Sequence, residues 1–151
     1  MIHRITRQQT VPAPLDEVWA YFATPHNLNE MTPDDMNFEI VYGGEGKMFE
    51  GQIIEYRVQF MPLVKSLWLT EITHIREGRY FVDEQRIGPY RLWHHEHSFE
   101  AVEGGTQITD LVTYAMPFGF LGEIVHAVWV GGRLKNIFDF RTQKVKQLFG
   151  I

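Results

Sequence analysis

The stretch that decides the fold is RLWHHEHSFEAVEGGTQITDLVTYAM, residues 91–116. Two runs in which apolar and polar residues alternate flank the pair Gly104-Gly105, a two-residue turn signal, so the pattern predicts a β-hairpin. With both glycines at the tip, the predicted register pairs Phe99 with Asp110, His97 with Val112, His95 with Tyr114 and Trp93 with Met116.

One face of this hairpin is apolar and yet carries three ionisable side chains. Because side chains alternate along a strand, one face is shared by Trp93, His95, His97, Phe99, Ala101, Ile108, Asp110, Val112, Tyr114 and Met116. The opposite face is polar, and we expect it to meet solvent. Ionisable groups on an apolar surface are costly unless they are paired or used. The pattern therefore indicates a sheet that encloses something other than a plain core.

The whole chain has the composition of one folded domain, residues 1–151. It is 44% hydrophobic and 14% aromatic, with a net charge of −5 and no cysteine. Interspersed charges exclude a nucleic-acid footprint, and the lack of cysteine excludes disulfides and thiolate sites. We find no signal-peptide pattern and no apolar run near the ~20 residues of a membrane helix. We therefore expect a cytoplasmic domain whose partner is neither nucleic acid nor an integral membrane, in an oligomeric state that the sequence leaves open.

The predicted elements run from one strand through two short helices and about six strands to a long C-terminal helix. The first strand covers residues 2–11, the short helices cover 15–22 and 26–31, and the long helix covers about 121–149. Pro62 is expected to end the strand that begins near Ile54. Gly131-Gly132 predicts a bend in the long helix or a close approach to the sheet. The residues of that helix that are expected to cover the sheet are Ile124, Val128, Gly132 and Phe138.

Short segments distributed over the whole chain carry a family resemblance. They are residues 14–22, 25–28, 31–33, 81–85, 88–89, 93–99, 104–106 and 117–122, together with Asp110 and Tyr114. In this order they resemble the START/SRPBCC superfamily, which includes the birch-pollen allergens, and within it the bacterial polyketide cyclase/dehydrase-like branch. The resemblance implies an α+β helix-grip fold, in which a curved antiparallel sheet of six to seven strands surrounds a long C-terminal helix and an apolar cavity. Members of the superfamily include lipid carriers, hormone receptors and cyclases, so the fold alone does not give the activity.

The polar residues on the inner face of the hairpin admit three interpretations. The first is a structural network that joins His97 to Asp110 and His95 to Tyr114 or to a water. The second is a zinc or iron site, since a His-X-His pair with a carboxylate suits these metals; no third strong ligand is placed by the sequence, so we expect no metal and no cofactor. The third is a set of anchors or acid–base groups for a ligand, with Asp110 orienting an imidazole and raising its pKa.

A cavity wall can be proposed from the strands and the long helix. The predicted ligand-binding residues are Ile54, Tyr56, Val58, Trp68, Ile72, Trp93, His95, His97, Phe99, Val112, Tyr114 and Val128. Either Asp83 or Glu84 points inward with them: a two-residue turn at Gly88-Pro89 favours Glu84, and a three-residue loop favours Asp83 and Gln85.

We therefore expect a protein that binds a small hydrophobic or aromatic molecule between the sheet and the C-terminal helix. The alternative is a cofactor-independent enzyme that resembles polyketide cyclases and aromatases. In that enzyme His95 or His97 would be the general base, Asp110 would support it, and Tyr114 would polarise the substrate carbonyl. A stress-related or division-related domain that acts by protein contacts is the third option.

Overall fold

The computed structural model describes residues 1–61 and 63–150, in which seven antiparallel strands form one sheet curved around the C-terminal helix. The strands are β1 His3–Val11, β2 Glu39–Tyr42, β3 Ile53–Met61, β4 Val64–Arg76, β5 Tyr80–Ile87, β6 Leu92–Val102 and β7 Gly105–Ala115. Their order across the sheet is β1-β7-β6-β5-β4-β3-β2. The predicted α+β helix-grip fold is confirmed. Pro62, which was expected to end β3, lies outside the described residues.

Two groups of helices cover the concave face of the sheet. Helix α1, Leu15–Phe22, buries Val18, Trp19 and Phe22, and two 3₁₀ turns, Pro25–Asn29 and Asp34–Met36, follow it. The C-terminal helix consists of α2 Gly119–Val125, a π-helical turn His126–Val130 and α3 Gly131–Phe149. Its length agrees with the prediction, whereas the π-helical turn was not predicted. No helix of the described residues is both long and apolar enough to cross a membrane.

The turn of the β6–β7 hairpin lies one residue earlier than the glycine pair predicted. Val102 pairs with Gly105, so that Glu103 and Gly104 form the tip and His97 pairs with Asp110 rather than with Val112. The predicted register was therefore wrong by two residues. Because side chains alternate with a period of two, an error of two leaves every residue on its predicted face.

The reason for this turn is the neighbouring strand β1. Gly104 takes a left-handed conformation with φ of 85°, and Gly105 has φ of 152°. Gly105 lies so close to β1 that an added Cβ would sit 1.9 Å from the carbonyl oxygen of Val11. Gly105 is therefore the first residue of the strand, and only Gly104 serves the turn.

The two glycines give a matched test of this packing. We expect Gly104→Ala to cost about 1–2 kcal/mol, since it introduces only left-handed strain into open space. Gly105→Ala should cost at least twice as much because it also separates β7 from β1. Urea denaturation of both variants measures the difference, and equal losses would contradict the close approach.

The first part of the C-terminal helix faces differently from the prediction. Val128 is 77% exposed and Ile124 is 54% exposed, so neither covers the sheet. The inner face of the helix is formed instead by Val130, Leu134 and Phe138, which lie four residues apart. Because the π-helical turn changes the phase between α2 and α3, the apolar pattern of α2 does not continue into that of α3. The close approach predicted at the glycine pair occurs at Gly131, but it is to the ring of His126 and not to the sheet. A Cβ added at Gly131 would lie 3.3 Å from that ring.

Candidate functional site

A cavity of about 150 Å³ lies between the concave face of the sheet, α3 and the first 3₁₀ turns. Most of its wall is apolar and aromatic. Two acidic or basic side chains, Asp83 and Arg141, and two imidazoles, His95 and His97, also line it.

The structure brings together some of the predicted wall residues and separates others. Those that line the cavity are Tyr56, Val58, Trp68, Ile72, Trp93, His95 and His97. Four more, Ile54, Phe99, Val112 and Tyr114, are buried but pack elsewhere in the core. Val128 faces away from the cavity, on the exposed side of the helix.

The polar side chains form a buried network across β5, β6 and β7. His95 Nε2 lies 2.8 Å from Asp110 Oδ1, and His97 Nε2 lies 2.6 Å from Asp83 Oδ2. The second nitrogen of His97, Nδ1, lies 3.3 Å from Asp110 Oδ1. The two imidazole rings stack with their centroids 3.6 Å apart. Arg141 closes the network from α3, with Nη2 3.8 Å from Asp110 Oδ1 and 3.4 Å from His97 Nδ1.

The surroundings of the two histidines shift their pKa values in opposite directions, so that the two side chains differ in protonation. Burial lowers the pKa of His97, but its hydrogen bonds to Asp110 and Asp83 outweigh burial and raise that pKa overall. Burial and the charge of His97 lower the pKa of His95 to about 4. Thus two carboxylates face one imidazolium and the Arg141 guanidinium, and His95 is the neutral member.

The carboxylates are held in their ionised form despite their burial. Burial raises the pKa of Asp110, but the guanidinium of Arg141 and the hydrogen bonds from both histidines bring it well below its usual range. Burial also raises the pKa of Asp83, and the hydrogen bond and charge of His97 reverse this effect. The network is therefore balanced in charge, as buried ionic groups require.

Residues 11–138 match the model of a protein family described as "Polyketide cyclase / dehydrase and lipid transport". The chain belongs to this family. The family handles hydrophobic ligands, and the cavity lies within the matched region except for Arg141. No curated protein matches the chain in sequence.

Solved structures with the same fold come from different organisms. The aromatase/cyclase Zhui from Streptomyces sp. R1128 is 15% identical with a TM-score of 0.68, over 99% of this chain and 98% of that chain. Major latex-like protein 151 from Panax ginseng is 13% identical with a TM-score of 0.70, over 99% of both chains. Protein CV1439 from Chromobacterium violaceum is 12% identical with a TM-score of 0.73, over 98% of this chain and 97% of that chain. At these identities the likeness shows the fold of the polyketide cyclase family and nothing finer.

Asp83, and not Glu84, is the inward acid in this member of the family. Neither predicted turn forms between β5 and β6, because their last pair is Glu84 with His94 and a longer loop follows. Gln85 closes that loop with two hydrogen bonds of 2.6 and 3.0 Å to the backbone of Tyr90. The loop length left open by the sequence thus decides which acid faces the cavity.

Arg141 is the residue that sequence reasoning missed. It follows Leu134 by seven residues and Phe138 by three, so it lies on the inner stripe of α3. A charged residue inside that apolar stripe was the available signal.

Tyr114 does not join the histidines of the cavity. Its hydroxyl oxygen lies 2.7 Å from Nε2 of His126, on the C-terminal helix, and it does not line the cavity. The predicted bond from His95 to Tyr114 is thus replaced by the bond from His95 to Asp110.

A second groove, of about 400 Å³, lies beside the cavity and shares Phe60 with it. Its polar side chains are Ser66, Tyr90 and Arg133, and the rest of its lining is apolar. The inner cavity is smaller, but it alone of the two contains the charged network, so the chemistry of the site is there.

Proposed function

We propose that the protein binds a small molecule that contains an aromatic ring and an oxygen acceptor, in the cavity between the sheet and α3. The observation that carries this proposal is the charged network of Asp83, His97 and Arg141 at the wall of an otherwise apolar cavity. Binding sites of this kind combine apolar walls with a few placed polar groups. The cytoplasmic location expected from the sequence remains part of the proposal.

The size of the cavity supports a ligand of about one ring. An engineered apolar cavity of ~150 Å³ binds benzene, and the cavity here has about the same volume. Trp68 and Trp93, whose rings meet edge to face with centroids 5.2 Å apart, offer an aromatic surface for that ring.

Arg141 supplies the polar end of the proposed recognition. A guanidinium has five N–H donors in a fixed fork, and the contact of Arg141 with Asp110 leaves others for a ligand oxygen. A phenol, a benzoate or an aryl ketone provides such an oxygen. The aromatase/cyclase among the structural neighbours is consistent with an aromatic ligand class.

Thermal shift and tryptophan emission test this proposal with a panel of phenols, benzoates and aryl ketones. A ligand at a hundredfold excess over Kd stabilises the folded state by about 2.7 kcal/mol, which raises Tm by about 5–10 °C. Emission of Trp68 and Trp93 should change in the same titration.

Two variants locate the binding. Val58→Trp fills the cavity and should abolish both responses, whereas Val41→Trp, at a position 42% exposed, should leave them intact. Arg141→Lys keeps the charge but loses the fork, so phenols should bind about tenfold more weakly while toluene binds as before. If Val58→Trp folds and still binds the panel, the proposed cavity is wrong.

The opposite pKa shifts of the two histidines favour an acid–base enzyme as a second candidate. Pairs of titratable groups with separated pKa values are typical of acid–base sites. His95, neutral and hydrogen-bonded through Nε2, would use Nδ1 as the base. Protonated His97 would keep its bonds to both carboxylates and would add positive charge beside the developing enolate. Arg141 takes the carbonyl-polarising role first given to Tyr114.

Proton exchange separates the enzyme from the binding protein. An enzyme should accelerate deuterium incorporation next to the carbonyl of a bound aryl ketone, and His95→Gln should remove that acceleration but retain binding. If an aryl ketone binds and its deuterium incorporation is no faster than without the protein, binding alone is the function.

A further inference from the structure

A second group of ionisable side chains joins the first strand to the beginning of the C-terminal helix. His3 lies on β1, Glu123 on α2 and His126 at the start of the π-helical turn. Nε2 of His3 lies 2.7 Å from Oε2 of Glu123, and the rings of His3 and His126 stack with centroids 3.8 Å apart. The amino group of Met1 lies 3.6 Å from the other carboxylate oxygen. One donor atom from each of the three side chains lies within 4.8 Å of the others.

We propose that His3, Glu123 and His126 bind a divalent transition-metal ion, with Zn²⁺ as the reference ion. Two imidazoles and one carboxylate form the donor set of open zinc sites, which keep a further position for water or substrate. Donors about 2.1 Å from a tetrahedral zinc are about 3.4 Å apart. His3 Nε2 and Glu123 Oε2, now 2.7 Å apart, would have to separate by about 0.7 Å, and no other pair of donor atoms would have to approach by more than about 1.4 Å. Rotation of the side chains supplies both movements.

The backbone around His126 holds two of these ligands in place. Glu123 and His126 are three residues apart on the helix, so both project from the same face. The π-helical turn begins at His126, and the missing Cβ of Gly131 makes room for its ring, which lies 3.3 Å from the position of that atom. Single π-helical turns inside α-helices occur frequently at functional sites.

Tyr114 provides the outer support of the proposed site. Its hydroxyl lies 2.7 Å from Nε2 of His126 and so fixes the orientation of that imidazole. Metal-binding histidines generally have such a partner on their other nitrogen. This gives a role to a buried tyrosine that the ligand cavity does not use.

The other group with metal-ligand geometry, Asp83, His95 and His97, fits a cation less well. Both nitrogens of His97 are already bonded to carboxylates, and the guanidinium of Arg141 lies 3.4 Å from one of them. The side chains of His3 and Glu123 are 16% and 26% exposed, so an ion can reach them from solvent, whereas the His95 side chain is 5% exposed. The proposed metal site is separate from the ligand cavity and does not depend on it.

Titration of the untagged, chelator-treated protein with Zn²⁺ in a calorimeter, and with Co²⁺ followed by visible absorption, tests the proposal. We expect one ion per chain and a Co²⁺ spectrum of low coordination number. Glu123→Gln and His126→Gln should each weaken binding at least tenfold, and Tyr114→Phe should weaken it about tenfold.

His74→Gln, on the exposed side of β4, is the matched control and should bind as the parent does. His95→Gln distinguishes the two groups and should also leave the affinity unchanged. Circular dichroism shows whether each variant is folded, and Glu123→Gln remains informative if His126→Gln is not. Parental affinity in a folded Glu123→Gln or His126→Gln variant overturns the site, as does a loss that occurs in His95→Gln instead.

Discussion

Replacing Asp110 by alanine is expected to destabilise the protein by about 3–5 kcal/mol, a large part of the 5–15 kcal/mol typical of a folded domain. Asp110 accepts from His95 at 2.8 Å, contacts His97 at 3.3 Å and faces Arg141 at 3.8 Å. The variant leaves one imidazolium and one guanidinium in a buried site with a single carboxylate. An uncompensated buried charge costs more than a lost neutral hydrogen bond, for which about 1–3 kcal/mol would be expected.

Two further variants separate charge from hydrogen bonding. Asp110→Asn keeps an oxygen acceptor for His95 but removes the charge. Its free energy of unfolding should therefore lie between that of the parent and that of Asp110→Ala. Asp139 also pairs with two basic residues, Arg7 and Lys135, but on the surface. Asp139→Ala should therefore leave the urea midpoint near the parental value, since exposed pairs contribute little. Equal midpoints for Asp110→Ala and Asp139→Ala would refute a buried, charge-balanced network.

Local sequence patterns were sufficient for the elements and for the face on which each hairpin residue lies. The alternation in residues 91–116 determines which side chains point inward. An error of one position in the turn shifts the register by two residues, so every side chain stays on its predicted face. The same pattern could not distinguish Glu103-Gly104 from Gly104-Gly105 as the tip. That choice depends on the contact of Gly105 with Val11 of a strand far away in the chain.

The complete site could not be predicted, because its missing members depend on geometry between elements. Asp83 faces inward because β5 and β6 pair in the register that the three-residue loop predicts, although the loop that forms is longer and is closed by Gln85. Arg141 reaches the network because α3 follows a π-helical turn, which no residue pattern announced and which also turned Val128 outward. Periodicity therefore predicted the apolar surroundings of the site better than the charges within it.

The pH dependence of stability should reveal which histidine of the network is neutral. The pKa of His95 is about 4 in the folded protein and about 6.5 when unfolded. Below about pH 6.5 the unfolded chain binds a proton at His95 that the folded protein does not bind, so stability falls as the pH falls. Over the window from about pH 6.5 to 4 this contribution amounts to about 3 kcal/mol.

The other members of the network act in different pH windows. The pKa of His97 is raised, so its contribution is fully present below about pH 6.5 and is lost as the pH rises through its folded pKa. Asp83 and Asp110 have lowered pKa values, so their contribution is present above the unfolded value of 3.8 and is lost at more acidic pH. Of these four groups, His95 is therefore the one whose protonation lowers the stability of the folded protein as the pH falls from about 6.5 to 4.

The variant His95→Gln isolates that decline, because the amide can still donate to Asp110 but does not titrate. We expect the loss of stability between about pH 7 and pH 4.5, measured by urea denaturation, to be about 2–3 kcal/mol smaller in this variant than in the parent. His74→Gln, on the surface, should retain the parental decline. NMR titration of the imidazole of His95 gives the direct measurement, and a midpoint near 6.5 would show that the desolvation and the charge of His97 do not act on it as the structure requires.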